Sequence, residues 1–150
     1  MMDRPIGWTT LEEAKELKKL GLEKETSDLW YSSYCLSAPP NFNAGPTIIL
    51  RRDEKKISPV RLRKSDTPAW SLGALIKFLP PYLFVYDKEG IGHDAVFKLM
   101  NGAAWYEYWD GERYVRVWEI VDAFPISSVI GMVKFMLSRK DILKTKIANL

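Results

Sequence analysis

The segment from Ala104 to Val121 constrains the fold of this chain more than any other. Ala104–Trp109 and Glu112–Val121 are rich in aromatic and β-branched residues and flank the pair Asp110-Gly111. Asp-Gly accepts the positive φ angles of a type I′ turn, whose twist matches that of two antiparallel strands. A two-residue turn here opposes Trp109 with Glu112, Tyr108 with Arg113, Glu107 with Tyr114, Tyr106 with Val115 and Trp105 with Arg116. Side chains alternate along a strand, so one face carries Tyr106, Tyr108, Val115 and Val117. The other carries Trp105, Glu107, Trp109, Tyr114, Arg116 and Trp118. A slip of one residue exchanges the faces.

Helices are predicted around this hairpin. Thr10-Leu11-Glu12-Glu13 has the form of a capping box, with Thr10 as N-cap and Glu13 reaching back to it. Leu11, Ala14, Leu17 and Leu20 follow at threefold spacing, and Gly21 suits the left-handed position after the last turn. A first helix at 11–20 follows. Leu72, Leu75, Ile76 and Leu79 mark a second, capped either by Thr67 with Pro68 in its first turn or by Ser71, and stopped by Pro80-Pro81. A third starts near Ser127 or Ser128 and carries Val129, Ile130, Val133, Met136 and Leu137 on its apolar stripe. Residues 139–150 read as a frayed tail.

Between the helices lie strand candidates. Asp28–Leu36 is aromatic and polar, Thr47–Leu50 is short and apolar, and Lys56–Val60 is its possible partner, held to an edge by Pro59. Residues 37–46 form a proline-rich loop. Tyr82–Tyr86 reads as a buried strand with Asp87–Gly90 as its turn. The expected class is α+β: one domain over residues 1–150, with a mainly antiparallel sheet of about five or six strands and three helices on one face. A chain of 150 residues is long enough to bury a core of its own.

Composition narrows the chemistry. One cysteine, Cys35, excludes an internal disulfide, and one histidine, His93, excludes zinc sites built on several His or Cys ligands. Without a secretory signal or a long apolar run, the expectation is a cytoplasmic protein that does not enter membranes. A Cys35–His93 nucleophilic pair has no family signature around it, and a strand cysteine is commonly a small buried hydrophobe. His93-Asp94 lacks the further histidines a metal-dependent phosphohydrolase needs, so His93 reads as a loop residue after Gly90-Ile91-Gly92. Glu107, Glu112, Glu119 and Asp122 offer carboxylate pairs, as any chain with 19 acidic residues does. No phosphate-binding glycine loop or nucleophile elbow occurs, and no cofactor or metal is implied.

Two local concentrations remain. Arg51, Arg52, Lys55, Lys56, Arg61, Arg63 and Lys64, against Asp53 and Glu54, give the window 51–64 a charge of +5, while the whole chain carries +3. Such a window can neutralise phosphates of a nucleic acid, or it can guard an exposed edge strand. The hairpin supplies Trp105, Trp109, Arg116 and Trp118, residue types that dominate binding hot spots, or else rings that pack beneath helices as core.

Thr10–Leu17 with Gly21-Leu22 and Thr26–Leu29, Pro68–Leu75 ahead of a Leu-Pro stop, and the Asp-Gly hairpin with its closing helix carry a resemblance. On these runs the chain resembles a family of small uncharacterised proteins from gut Bacteroidetes bacteria and their prophages or other mobile elements. The resemblance spans about 10–36, 66–86 and 103–138, and its motifs are structural punctuation. It implies a phage-associated setting and no activity, so no site residue is carried over. The expected function is a non-enzymatic interaction module that contacts a protein partner or itself, as a homo-oligomer, through the aromatic hairpin. The alternative is a nucleic-acid-binding accessory protein using residues 51–64.

Overall fold

A computed structural model describes residues 5, 7–31, 47–48 and 66–139. The fold is α+β, and the described strands all pair antiparallel. Where one sheet was expected, the described strands divide between a three-stranded and a four-stranded sheet. These fall in two compact units that meet in sequence between Ala74 and Leu75.

The first unit holds helix α1 (Leu11–Lys19) and strands β1 (Leu29–Tyr31), β2 (Thr47–Ile48) and β3 (Thr67–Ala69). The capping box forms as predicted: Glu13 N donates to Thr10 Oγ1 at 3.2 Å, and Thr10 N donates to Glu13 Oε1 at 2.8 Å. Gly21, at φ +104°, closes the helix. Its N–H bonds Lys18 O and that of Leu22 bonds Leu17 O, the paired bonds of a Schellman ending. Ala14 and Leu17 are buried, and α1 packs against β3. Strand order is β2-β1-β3, with Trp30 opposite Thr47 on one side and Pro68 on the other. Thr67-Pro68 is therefore an edge strand and caps no helix, as suits a residue without an N–H. The alternative cap holds, since Ala74 N donates to Ser71 Oγ. Trp70 is fully buried, and its indole N–H donates to Thr26 Oγ1 at 2.9 Å.

Helix α2 (Leu72–Phe78) spans the boundary between the units and ends ahead of Pro80-Pro81. The second unit continues with β4 (Tyr82–Tyr86), β5 (Gly92–Met100), β6 (Ala103–Trp109), β7 (Tyr114–Val121) and helix α3 (Pro125–Ser138). The four strands form an up-and-down meander in sequence order. His93 lies within β5 and not in a loop. Helix α3 begins at Pro125, two residues before Ser127 and three before Ser128, because proline's fixed φ suits a first turn. It packs on β5, β6 and β7 and buries Ile126, Val129, Ile130, Met132, Val133 and Met136. Gly131 lets α3 close on β7, since a Cβ there would stand 2.7 Å from Ile120 Cγ2.

The hairpin connection is longer than the predicted two residues. Trp109 pairs with Tyr114, so Asp110–Arg113 form a four-residue loop closed by Asp110 N donating to Arg113 O at 3.0 Å. Asp110 Oδ1 accepts from the backbone N–H groups of Glu112 and Arg113, each at 2.8 Å. The register moves by two residues, to Glu107 against Arg116 and Tyr106 against Val117. An even shift keeps every side chain on its predicted face. Only beyond Tyr106 does the assignment change. Ala104 pairs with Ile120, so Trp118 and Glu119 together oppose Trp105 in a β-bulge.

Candidate interaction face

The four-stranded sheet has two unlike faces. Leu83, Val85, Ala95, Ala104, Tyr106 and Tyr108 are buried on the face that carries α3. Tyr106 anchors this core, its hydroxyl donating to Pro80 O at 2.7 Å, and burial raises the phenol far above its ordinary pKa. Among the described residues, no helix of the second unit lies on the opposite, open face. There Tyr82, Phe84, Tyr86, Val96, Met100, Trp109, Tyr114 and Val121 are all exposed.

Of the four predicted binding residues, three occupy this open face. Trp109 is 53% exposed and meets Tyr114 edge to face, with ring centroids 5.0 Å apart. Trp105 is only 4% exposed, because polar side chains roof it. The Arg116 guanidinium lies 3.9 Å above its ring, and its indole N–H donates to Glu107 Oε2 at 3.0 Å. Arg116 Nη1 also reaches Glu119 Oε1 at 3.5 Å, and Lys98 Nζ stands 4.0 Å from Glu107. A cation over an indole contributes about 0.5–2 kcal/mol according to its solvation.

Trp118 is the exception. The bulge holds it at φ +53° and turns its ring to the helix side, 5.6 Å from Phe135 and 6.2 Å from Tyr106. Strict alternation placed Trp118 beside Trp105, and the extra residue in β7 reversed it. Trp118 is core.

Strand β4 supplies residues that reading of the hairpin missed. Its burial alternates, so the strand is half exposed and not the buried run expected. Tyr82, Phe84 and Tyr86 are 62%, 49% and 71% exposed, while Leu83 and Val85 face the core. The available signal was the alternation of aromatic with aliphatic residues in Tyr-Leu-Phe-Val-Tyr. The Phe84 ring lies on Gly92, where an added Cβ would come within 2.1 Å of its tip. Glycine leaves the ring that space, as aromatic cover over strand glycines requires.

At the end of β4, Asp87 organises the turn. Its Oδ1 accepts from Glu89 N and Ile91 N, and its Oδ2 lies 2.8 Å from His93 Nε2. His93 stacks on Tyr108 at 4.2 Å. The His93 bond, then that from Ile91, holds the Asp87 carboxyl below its ordinary value. Asp110 is lowered likewise, by the N–H groups of Arg113 and Glu112. Both arrangements serve turns.

Cys35, the strand predicted at 56–60, the loop predicted at 37–46, the basic window 51–64 and the tail predicted beyond Arg139 lie outside the described residues. Of the four carboxylates considered above, Glu107 faces Trp105 and Lys98, Glu119 faces Arg116, and Asp122 Oδ1 accepts from Phe124 N. Among the described residues no group of three His, Cys, Asp or Glu side chains could hold a metal ion. No helix among them is long and apolar enough to cross a membrane. Comparison of the chain with protein-family models, with curated proteins and with solved structures finds no match.

Proposed function

We propose that this chain is a non-enzymatic interaction module that contacts a protein through the open face of β4–β7, in the phage or mobile-element setting its sequence resemblance implies. The observation that supports this reading is the gathering of Tyr82, Phe84, Tyr86, Val96, Met100, Trp109 and Tyr114, all exposed, on one sheet face. Single surface hydrophobes are ordinary, whereas this many on one sheet face, interspersed with Asp94, Lys98, Glu107 and Arg116, is the mixed composition of a contact surface. Tyrosine, tryptophan and arginine are also the side chains that supply most contact energy, the two aromatics because they bury large areas with few rotatable bonds. Trp109 and Tyr114 present the rings, and Arg116 over Trp105 presents a flat charged plate beside them.

The test is isolation of the tagged chain from its own cells at low and at high salt. The reading expects a protein that stays bound at high salt and is lost with Trp109→Ser and Tyr114→Ser together, while the chain's melting temperature moves little. Retention that instead disappears at high salt, and disappears with Arg61, Arg63 and Lys64 neutralised, assigns the contact to the basic window and to nucleic acid.

A further inference from the structure

We infer that β4 pairs edge to edge with β4 of a second copy of this chain, antiparallel about a two-fold axis at Phe84, so that two four-stranded sheets continue as one. This edge is the backbone rim of β4, at the opposite side of the sheet from β7, while the rings of Tyr82, Phe84 and Tyr86 share the open face with Trp109 and Tyr114. The direction of the backbone is the first support. Phe97 N donates to Pro81 O, and Asp87 N donates to Ile91 O, both at 2.9 Å. Between them Leu83 pairs with Ala95 and Val85 with His93. Antiparallel ladders alternate, so these odd positions point their N–H and C=O groups at β5. The N–H and C=O groups of Tyr82, Phe84 and Tyr86 therefore point away from the sheet. The same three residues expose their rings.

The two edges of this sheet differ in how they are guarded. β7 carries a bulge at Trp118 and the charges of Arg116 and Glu119, devices that discourage edge pairing. β4 has no charge, no proline and no bulge along Tyr82–Tyr86. An unguarded aromatic edge is a template for another strand.

The sequence of β4 selects a second copy as that strand. Tyr-Leu-Phe-Val-Tyr reads nearly the same in both directions. A two-fold contact must be self-complementary, each residue meeting its symmetry counterpart. Antiparallel pairing at Phe84 sets Tyr82 against Tyr86 of the second copy, Leu83 against Val85, and Phe84 against itself. The charged turn Asp87–Glu89 then runs past Pro80 and Pro81 of the second copy, which carry no charge, so no like charges meet. Aromatic pairs facing each other across antiparallel strands stabilise the pairing beyond what alanine gives.

Sedimentation equilibrium of the full chain tests this register. Wild type is expected at twice the chain mass of 17.3 kDa. Tyr82→Lys with Tyr86→Lys opposes lysine to lysine and is expected at the single-chain mass. Tyr82→Lys with Tyr86→Glu opposes the introduced lysine to the introduced glutamate of the second copy and is expected to regain the doubled mass. Circular dichroism reports whether each variant folds. Should the two-lysine variant unfold, Tyr86→Pro removes the outward N–H together with the ring, adds no charge, and must itself give the single-chain mass. A single-chain mass for wild type at every concentration overturns the inference, as does the same mass for both double variants. Trp109→Ser with Tyr114→Ser keeps the doubled mass if the edge pairs. If that variant alone halves the mass, the contact belongs to the open face and the edge inference falls.

Discussion

Arg116 and Trp105 show how a large ring on an uncovered sheet face stays out of water. The guanidinium lies over the indole, and Glu107 takes its N–H, so the ring is buried by neighbours on its own face. Arg116→Ala therefore exposes Trp105, with a red-shifted emission and a loss of about 0.5–1 kcal/mol by urea denaturation. An unshifted emission would mean that Arg116 is not the roof. At the turn, the folded state holds Asp87 and Asp110 below their ordinary values. Their stabilising bonds are complete above the unfolded carboxylate range, near pH 4, and are lost as pH falls through the lower folded values. Asp87→Asn is expected to flatten the acid limb of a stability-against-pH curve and to leave neutral pH less affected. Residue-scale features were legible where partners are close in sequence. Thr10 with Glu13 is the clearest case, and Thr10→Ala should cost about 1 kcal/mol in a thermal or urea melt. The stacking of His93 on Tyr108 was not legible, because β5 brings it there through sheet register.

At the scale of elements, the hairpin explains both the success and the failure of reading the sequence. Asp110-Gly111 located the turn, but Asp110 also captures two N–H groups and so supports a loop of four residues. The resulting shift was even, and Trp105, Trp109 and Arg116 kept their face. The bulge at Trp118 was odd, and that ring crossed to the helix side. Nothing in local propensity marks a tryptophan for φ +53°; the position is chosen by packing against Phe135 and Tyr106. β4 was misread for a related reason. An unbroken apolar run is compatible with a strand buried on both faces or with one exposed on an aromatic face, and only strand order decides. Helix α3 carries the element-scale prediction. Gly131→Ala raises helix propensity by about 1 kcal/mol, yet it drives a Cβ into Ile120. Overpacking of this kind costs about 1–3 kcal/mol, so the variant should melt lower than wild type despite its better helix. A higher melting temperature would show that Ile120 yields freely.

For the whole molecule, the α+β class followed from interleaving helical and alternating patterns, whereas the division into two antiparallel sheets did not. Pairing between β1 and β3 joins segments far apart in the chain, such as Trp30 with Pro68, a separation over which periodicity carries no information. Function lies at this scale too, since the proposed contact surface is assembled from β4, β5, β6 and β7 together. Its most direct test is a photo-reactive phenylalanine placed in turn at Trp109, at Tyr114 and at Glu12 in the intact chain within its own cells. A protein-contacting open face gives covalent adducts to a protein from positions 109 and 114 and none from position 12. Equal labelling from all three positions, or none from the two on the open face, would contradict it.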